Sequence, residues 1–131
     1  MKFLLDTHVF LWAITDDERL SAAHRRIYLK PESELWLSVA SIWETLIRSG
    51  LGKLKLPSPV TGYLLKQMER NRVGLLPVRA THLAALEDQP LLHRDPFDRM
   101  LLAQAAAEEM TVLSSDDVLR RYSGRYSGRV L

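Results

Sequence analysis

The stretch KFLLDTHVFLWAI, from Lys2 to Ile14, decides how the rest of the chain is read. Lys2 to Leu5 is a short apolar run that stops at Asp6, as a buried strand does, and from His8 the apolar residues spread out to helical spacing. Thr7 stands between them as the natural N-cap. The unit is therefore strand, turn and helix, with an acid at the changeover.

The same alternation repeats downstream. Ser21 to Lys30 reads as a helix capped by Ser21 and stopped before Pro31, and Glu34 to Ser38 as a second strand. A third helix contains SIWETLIRSG, with Gly50 as its left-handed stop, and Gly52 to Pro59 forms a loop carrying Lys53 and Lys55. Ser58 and Pro59 open a fourth helix. Leu75 to Val78 reads as a third strand, Thr81 to Leu86 as a short helix, and Pro96 to Glu109 as a long alanine-rich one. Thr111 to Ser114 is a further strand, Asp116 to Tyr122 a last helix, and Val130 with Leu131 an edge strand. Strands alternating with helices predict an α/β fold, a mainly parallel sheet covered on both faces, whose ligands bind beyond the carboxyl ends of the strands.

Composition narrows the class. The 131 residues, 47% hydrophobic and 26% charged, suit one domain spanning 1–131 with a real core. No apolar run reaches membrane-spanning length and MKFLLD is too short for a signal peptide, so a soluble cytoplasmic protein without a membrane partner is expected. The lack of cysteine excludes disulfides, thiolate zinc sites and a cysteine nucleophile within this sequence. Neither GxGxxG nor GxxxxGK[ST] occurs, which leaves a nucleotide cofactor without support. A net charge of +2, with arginines crowded between Arg120 and Arg129, permits a polyanionic partner without demanding one.

Four acids then fall at one predicted edge of the sheet: Asp6 after the first strand, Glu44 within two turns of the second strand's end, Asp98 in the first turn of the long helix, and Asp116 just past TVLS. Each has a local explanation. Asp6 suits an Asx turn, Ser41 and Glu44 match the S-x-x-E capping box, and Asp98 and Asp116 suit helix starts. Asp95 followed by Pro96 is itself an N-cap and first helical residue. Converging together, however, four carboxylates repel by kilocalories unless a cation neutralises them. Oxygen donors favour Mg²⁺ or Mn²⁺ over zinc, and the four histidines show no HExxH spacing. Arg48, Lys53, Lys55, Arg94 and Arg99 lie on segments near the same edge, an arrangement suited to binding a phosphodiester for hydrolysis.

The ordered motifs LLDTHVFLW, LSVASIWETLIRSGLGKL, HRDPFDRMLLAQA and TVLSSDDVLRRY resemble the PIN-domain ribonucleases, most closely the VapC-type toxins of toxin–antitoxin pairs, from Lys2 to about Tyr122. The resemblance implies a compact α/β/α fold. It also implies an endoribonuclease in which a metal-activated water hydrolyses RNA to leave 5′-phosphates, with one or two Mg²⁺ or Mn²⁺ ions. By motif position Asp6 and Asp98 are the principal metal ligands, while Glu44 and Asp116 either touch a metal or stand behind its ligands; Asp117 is the rival for the fourth place. Thr7 is expected to hydrogen-bond within the site as well as to cap. The implied partners are RNA, a cognate antitoxin in a hetero-oligomer, a second copy in a homodimer, and operator DNA only through the antitoxin. The apolar helices, including Trp12, Trp36 and Trp43, are explained as readily by core packing as by such dimerisation.

The tandem RYSG repeat from Arg121 to Gly128 departs from the family pattern, and 121–131 reads as a flexible or atypical segment rather than an RNA-stacking one. Two other classes compete with the nuclease. A non-catalytic RNA- or phosphate-binding module would keep the fold and basic rim, and a phospho-accepting receiver would need an acid pair where this chain has Asp6 alone.

Overall fold

The computed structural model describes residues 1–89, 95–121 and 129–131. Arg94 and most of the RYSG repeat lie outside the described residues. Among the described residues four strands form one sheet: β1 (Lys2–Leu5), β2 (Glu34–Ser38), β3 (Val73–Leu76) and β4 (Thr111–Leu113). Their order is β3-β2-β1-β4 and every pairing is parallel, with Phe3 beside Leu35 on one side and Thr111 on the other. Arg129 to Leu131 continues the sheet at its edge: the Val112 amide donates to the Arg129 carbonyl at 2.8 Å, and Val130 makes an isolated parallel bridge to Val112.

Both faces of the sheet are buried, which is why the strands read as apolar runs rather than as alternating ones. Phe3, Leu5, Leu35, Leu37, Val73 and Leu113 face a core shared with α1 (Thr7–Ile14), α2 (Ala22–Leu29), Ile42 of α3 (Val39–Gly50) and α4 (Val60–Arg70). Leu4, Leu76 and Val112 face a second core with α6 (Pro96–Glu108) and α7 (Asp117–Arg120). The short α5 (Ala80–Glu87) is tied to α6 by buried His82, whose Nε2 lies 3.0 Å from Glu108 Oε1. Trp12 and Trp36 are half-buried against these cores, but Trp43 is 62% exposed and meets Phe97 edge-on at 5.3 Å, so core packing does not account for it.

The chain steps outward from β1 to β2 to β3, then returns past β1 to place β4 on its other side. That reversal opens a crevice at the carboxyl ends of β1 and β4. Four local expectations are corrected. Asp6, not Thr7, is the N-cap residue of α1, and its side chain makes no cap bond because it is directed elsewhere. Ser38 rather than Ser41 caps α3, accepting the Ala40 amide at 3.0 Å, which dissolves the proposed Ser41–Glu44 capping box. The left-handed residue after α3 is Gly52 at φ 75°, two residues beyond Gly50. The third strand begins at Val73, because Gly74 and Leu75 continue the ladder against Trp36 and Leu37.

Candidate active site

Asp6 leaves β1 at the crevice. Its amide donates to the Leu113 carbonyl at 3.0 Å, which locks the end of β1 to the end of β4. Its carboxylate accepts the Ser114 hydroxyl at 2.7 Å, and the same hydroxyl oxygen accepts the Asp116 amide at 3.0 Å. Ser114 is fully buried, so this relay fixes Asp6 and the Asp116 backbone together. Asp116 then caps α7 with its Oδ1 on the Val118 amide at 2.8 Å. Neither the apolar strand TVL nor the acids flag Ser114 by type; its position as the first residue past a strand at the crevice is the signal that could have found it.

Glu44 reaches the same place from α3. Thr7 donates to its Oε1 at 2.7 Å, and Ser41 Oγ sits 2.9 Å from the Thr7 hydroxyl. Residues 41 and 44 share a face one turn apart, so the serine and glutamate that resembled a cap instead grip α1. Arg48, one further turn along, is 3.4 Å from Glu44 Oε2, and its Nη1 is 2.6 Å from His8 Nε2. Arginine has donors only, so the His8 nitrogen accepts. Arg48, one of the cations expected near this edge, thus stands directly beside the acids.

Asp98 enters from the first turn of α6. Asp95 caps that helix, its Oδ1 accepting the amides of Phe97 at 2.9 Å and Asp98 at 3.4 Å, with Pro96 at the first helical position. Burial pushes the Asp98 carboxyl up to about 8, and the charges of Asp6, Asp95, Glu44 and Asp116 push in the same direction. Burial likewise raises Asp6 against the opposing Ser114 hydrogen bond, and raises Glu44 against that of Thr7. Asp6, Glu44, Asp98 and Asp116 therefore share one electrostatic field, to which Asp95 contributes more than a cap. Asp116, and not the exposed Asp117, is among the carboxylates that raise Asp6 and Asp98.

Among the described residues no three His, Cys, Asp or Glu side chains close into a ready-made metal cage. The donor set nevertheless fits a hard divalent cation: oxygen ligands only, largely buried, with the Asp98 carboxyl pushed up to about 8 by burial first and by its carboxylate neighbours next. Glu44, Arg48 and Lys53 line a cleft of about 440 Å³ together with Asp95 and Phe97. Arg48, Lys53 and Lys55 line an adjoining groove of about 430 Å³. Arg99 follows Asp98 in the first turns of α6, and its Nε is buried without a hydrogen-bond partner among the described residues.

No helix among the described residues is long and apolar enough to cross a membrane. The sequence model of the PIN domain matches residues 3–125. Ribonuclease VapC22 of Mycobacterium tuberculosis (strain ATCC 25618 / H37Rv) is 31% identical over 121 residues, covering 91% of this chain and 90% of that protein. The fold is shared with VapBC2 from Rickettsia felis, solved bound to a DNA fragment from its promoter, at a TM-score of 0.72 and 17% identity over 100% of this chain and 98% of the other. It is also shared with VapBC-1 from nontypeable Haemophilus influenzae, at 0.64 and 16% over 92% and 91%. A family match over nearly the whole length and a relative above 30% identity make this chain a member of the PIN domain family.

Proposed function

We propose that the protein is a metal-dependent endoribonuclease, the toxin of a VapBC-type toxin–antitoxin pair, acting in the cytoplasm. The observation that carries this reading is that the charges of Asp6, Glu44 and Asp116, distant along the chain, all bear on buried Asp98, with a cleft lined by Glu44, Arg48 and Lys53 at hand. The ribonuclease name of the 31% identical relative supports RNA as the substrate.

Asp6 and Asp98 would hold Mg²⁺ or Mn²⁺ most directly, with Glu44 and Asp116 completing the site. When bound, the ion acidifies a water and neutralises charge building on the phosphoryl oxygens. The chain's own residues do the rest. Ser114 holds Asp6 in one rotamer, and Thr7 holds Glu44. Arg48, kept in place by Glu44 and His8, offers a planar donor fork to a non-bridging phosphate oxygen, and Lys53 adds a second cation. The buried setting strengthens each of these interactions relative to open solvent. Attack by water on phosphorus with the 3′-oxygen leaving would give 5′-phosphate and 3′-hydroxyl ends, with no 2′-hydroxyl nucleophile.

An antitoxin would restrain this site and bring operator DNA through its own binding domain. Support for a protein partner or a second copy comes from the apolar groove of about 500 Å³ between α3 and α6, with Trp43, Val78, Phe97 and Met100 in its walls. The reading is tested by incubating total cellular RNA with wild type and Asp98→Asn in Mg²⁺, Mn²⁺ or chelator, followed by end-group analysis. Metal-dependent cuts bearing 5′-phosphates, absent from the variant, are expected; folded, inhibitor-free wild type that cuts nothing would refute it.

A further inference from the structure

Among the described residues the groove next to the acid cleft carries four cationic side chains, Arg19, Arg48, Lys53 and Lys55, against the one carboxylate of Asp17. In its wall stands Trp12, half-buried, with one part of the ring packed on the core and another facing the groove. The ring is braced. The Arg19 guanidinium lies over one face of the ring, its carbon 5.2 Å from the centroid, and His8 packs beside the ring at 5.8 Å with the planes tilted by 44°. Arg19 is in turn held by Asp17, with Nη2 to Oδ2 at 2.7 Å and Nε to Oδ1 at 3.1 Å, so the brace is built from a bidentate pair. Arg48 and Lys53 line both this groove and the cleft that holds Glu44, so the two adjoin.

A solvated ion-pair cluster does not need a tryptophan, and a core tryptophan does not need a ring of lysines and arginines. Cations spaced along a groove with an oriented aromatic among them are the combination that binds a single-stranded nucleic acid, the cations tracking phosphates and the ring stacking a base. We propose that Trp12 is a base-stacking platform that seats one unpaired nucleotide of the substrate strand, with Arg19 and Asp17 orienting its ring and Arg48 and Lys53 leading the adjoining phosphate into the acid cleft. This rests on the ribonuclease reading and adds to it a residue that selects unpaired over paired RNA, because a base must leave its helix to reach the ring. Pre-orientation of the ring by the Arg19–Asp17 pair lowers the ordering required on binding.

The test uses the full chain carrying Asp98→Asn, so that bound RNA is not consumed, and measures by fluorescence anisotropy its affinity for a single-stranded octaadenylate and for an abasic ribose-phosphate octamer of the same charge. Trp12→Leu keeps apolar contact with the core but has no stacking face; it is expected to weaken the RNA about 5- to 150-fold and leave the abasic strand unchanged. Trp12→Phe should retain most of the RNA affinity, and Lys55→Gln should weaken both strands alike. Equal RNA affinity in Trp12→Leu, or an equal loss on both strands, would overturn the platform. Capture of a protein partner that depends on Trp12 while RNA affinity does not would overturn it too, and would give the groove to that protein. Platform failure with RNA still bound, and still cut by the otherwise wild-type chain, leaves the nuclease standing; no binding of either strand together with no cutting brings down both.

Discussion

Asp98→Asn should stabilise the metal-free protein while disabling it. The folded chain holds the Asp98 carboxyl at about 8 rather than at its ordinary 3.8, first through burial and then through Asp6, Asp95, Glu44 and Asp116. The folded state therefore binds more protons than the unfolded one between those values, and its stability falls as pH rises through that window. At 1.36 kcal/mol per pKa unit the ceiling is about 6 kcal/mol. An effective dielectric well above that of a dry interior reduces this to on the order of 2 kcal/mol. Asparagine is nearly isosteric and carries no charge to repel. In chelator at pH 8 its melting temperature should exceed wild type by about 7 °C, a chain of this length moving by some 3–4 °C per kcal/mol. At pH 5 the gap should shrink to about a third of that, since most of the window has not yet been crossed. Differential scanning calorimetry of both proteins at the two pH values decides the matter. A variant no more stable than wild type at pH 8, or a gap that ignores pH, would refute the claim that these carboxylates share one repulsive field.

Other substitutions probe the supports of the site and sheet. Ser114→Ala removes the donor to Asp6 and the acceptor of the Asp116 amide, and should lower stability by about 1–3 kcal/mol in urea titrations; a neutral result would mean that water replaces the relay. Gly74→Ala would place a Cβ 2.8 Å from the Trp36 ring and should cost about 1–3 kcal/mol, a penalty that Trp36→Leu relieves in a double-mutant cycle; additive losses would contradict the clash. Glu109, which ends α6 at φ 55°, should tolerate glycine with a gain of about 0.5–1 kcal/mol in thermal melts, because the left-handed cap strains any residue with a Cβ; a loss would place the value of Glu109 in its side chain.

The sequence by itself determined the alternation of elements, the burial of both sheet faces, the Asp95–Pro96 opening of α6 and the presence of acids after β1 and β4. These depend on local periodicity and on backbone groups that must be capped within a few residues, so short stretches carry the whole signal. Glu34–Ser38 is legible residue for residue for this reason. Positions where two local devices compete for one residue were not legible. Ser41 and Glu44 satisfy the capping pattern, yet Ser38 caps the helix and Ser41 turns to Thr7, a contact thirty-four residues away along the chain. Trp12, Trp36 and Trp43 look alike in composition, but only the tertiary structure sorts them, placing the first beside Arg19 and the third on an open face. The strand order likewise needed the fold. The return past β1 brings Ser114 to Asp6 across 108 residues, and the shift of Asp98 to about 8 exists only because segments distant in sequence are held where their charges cannot be solvated separately.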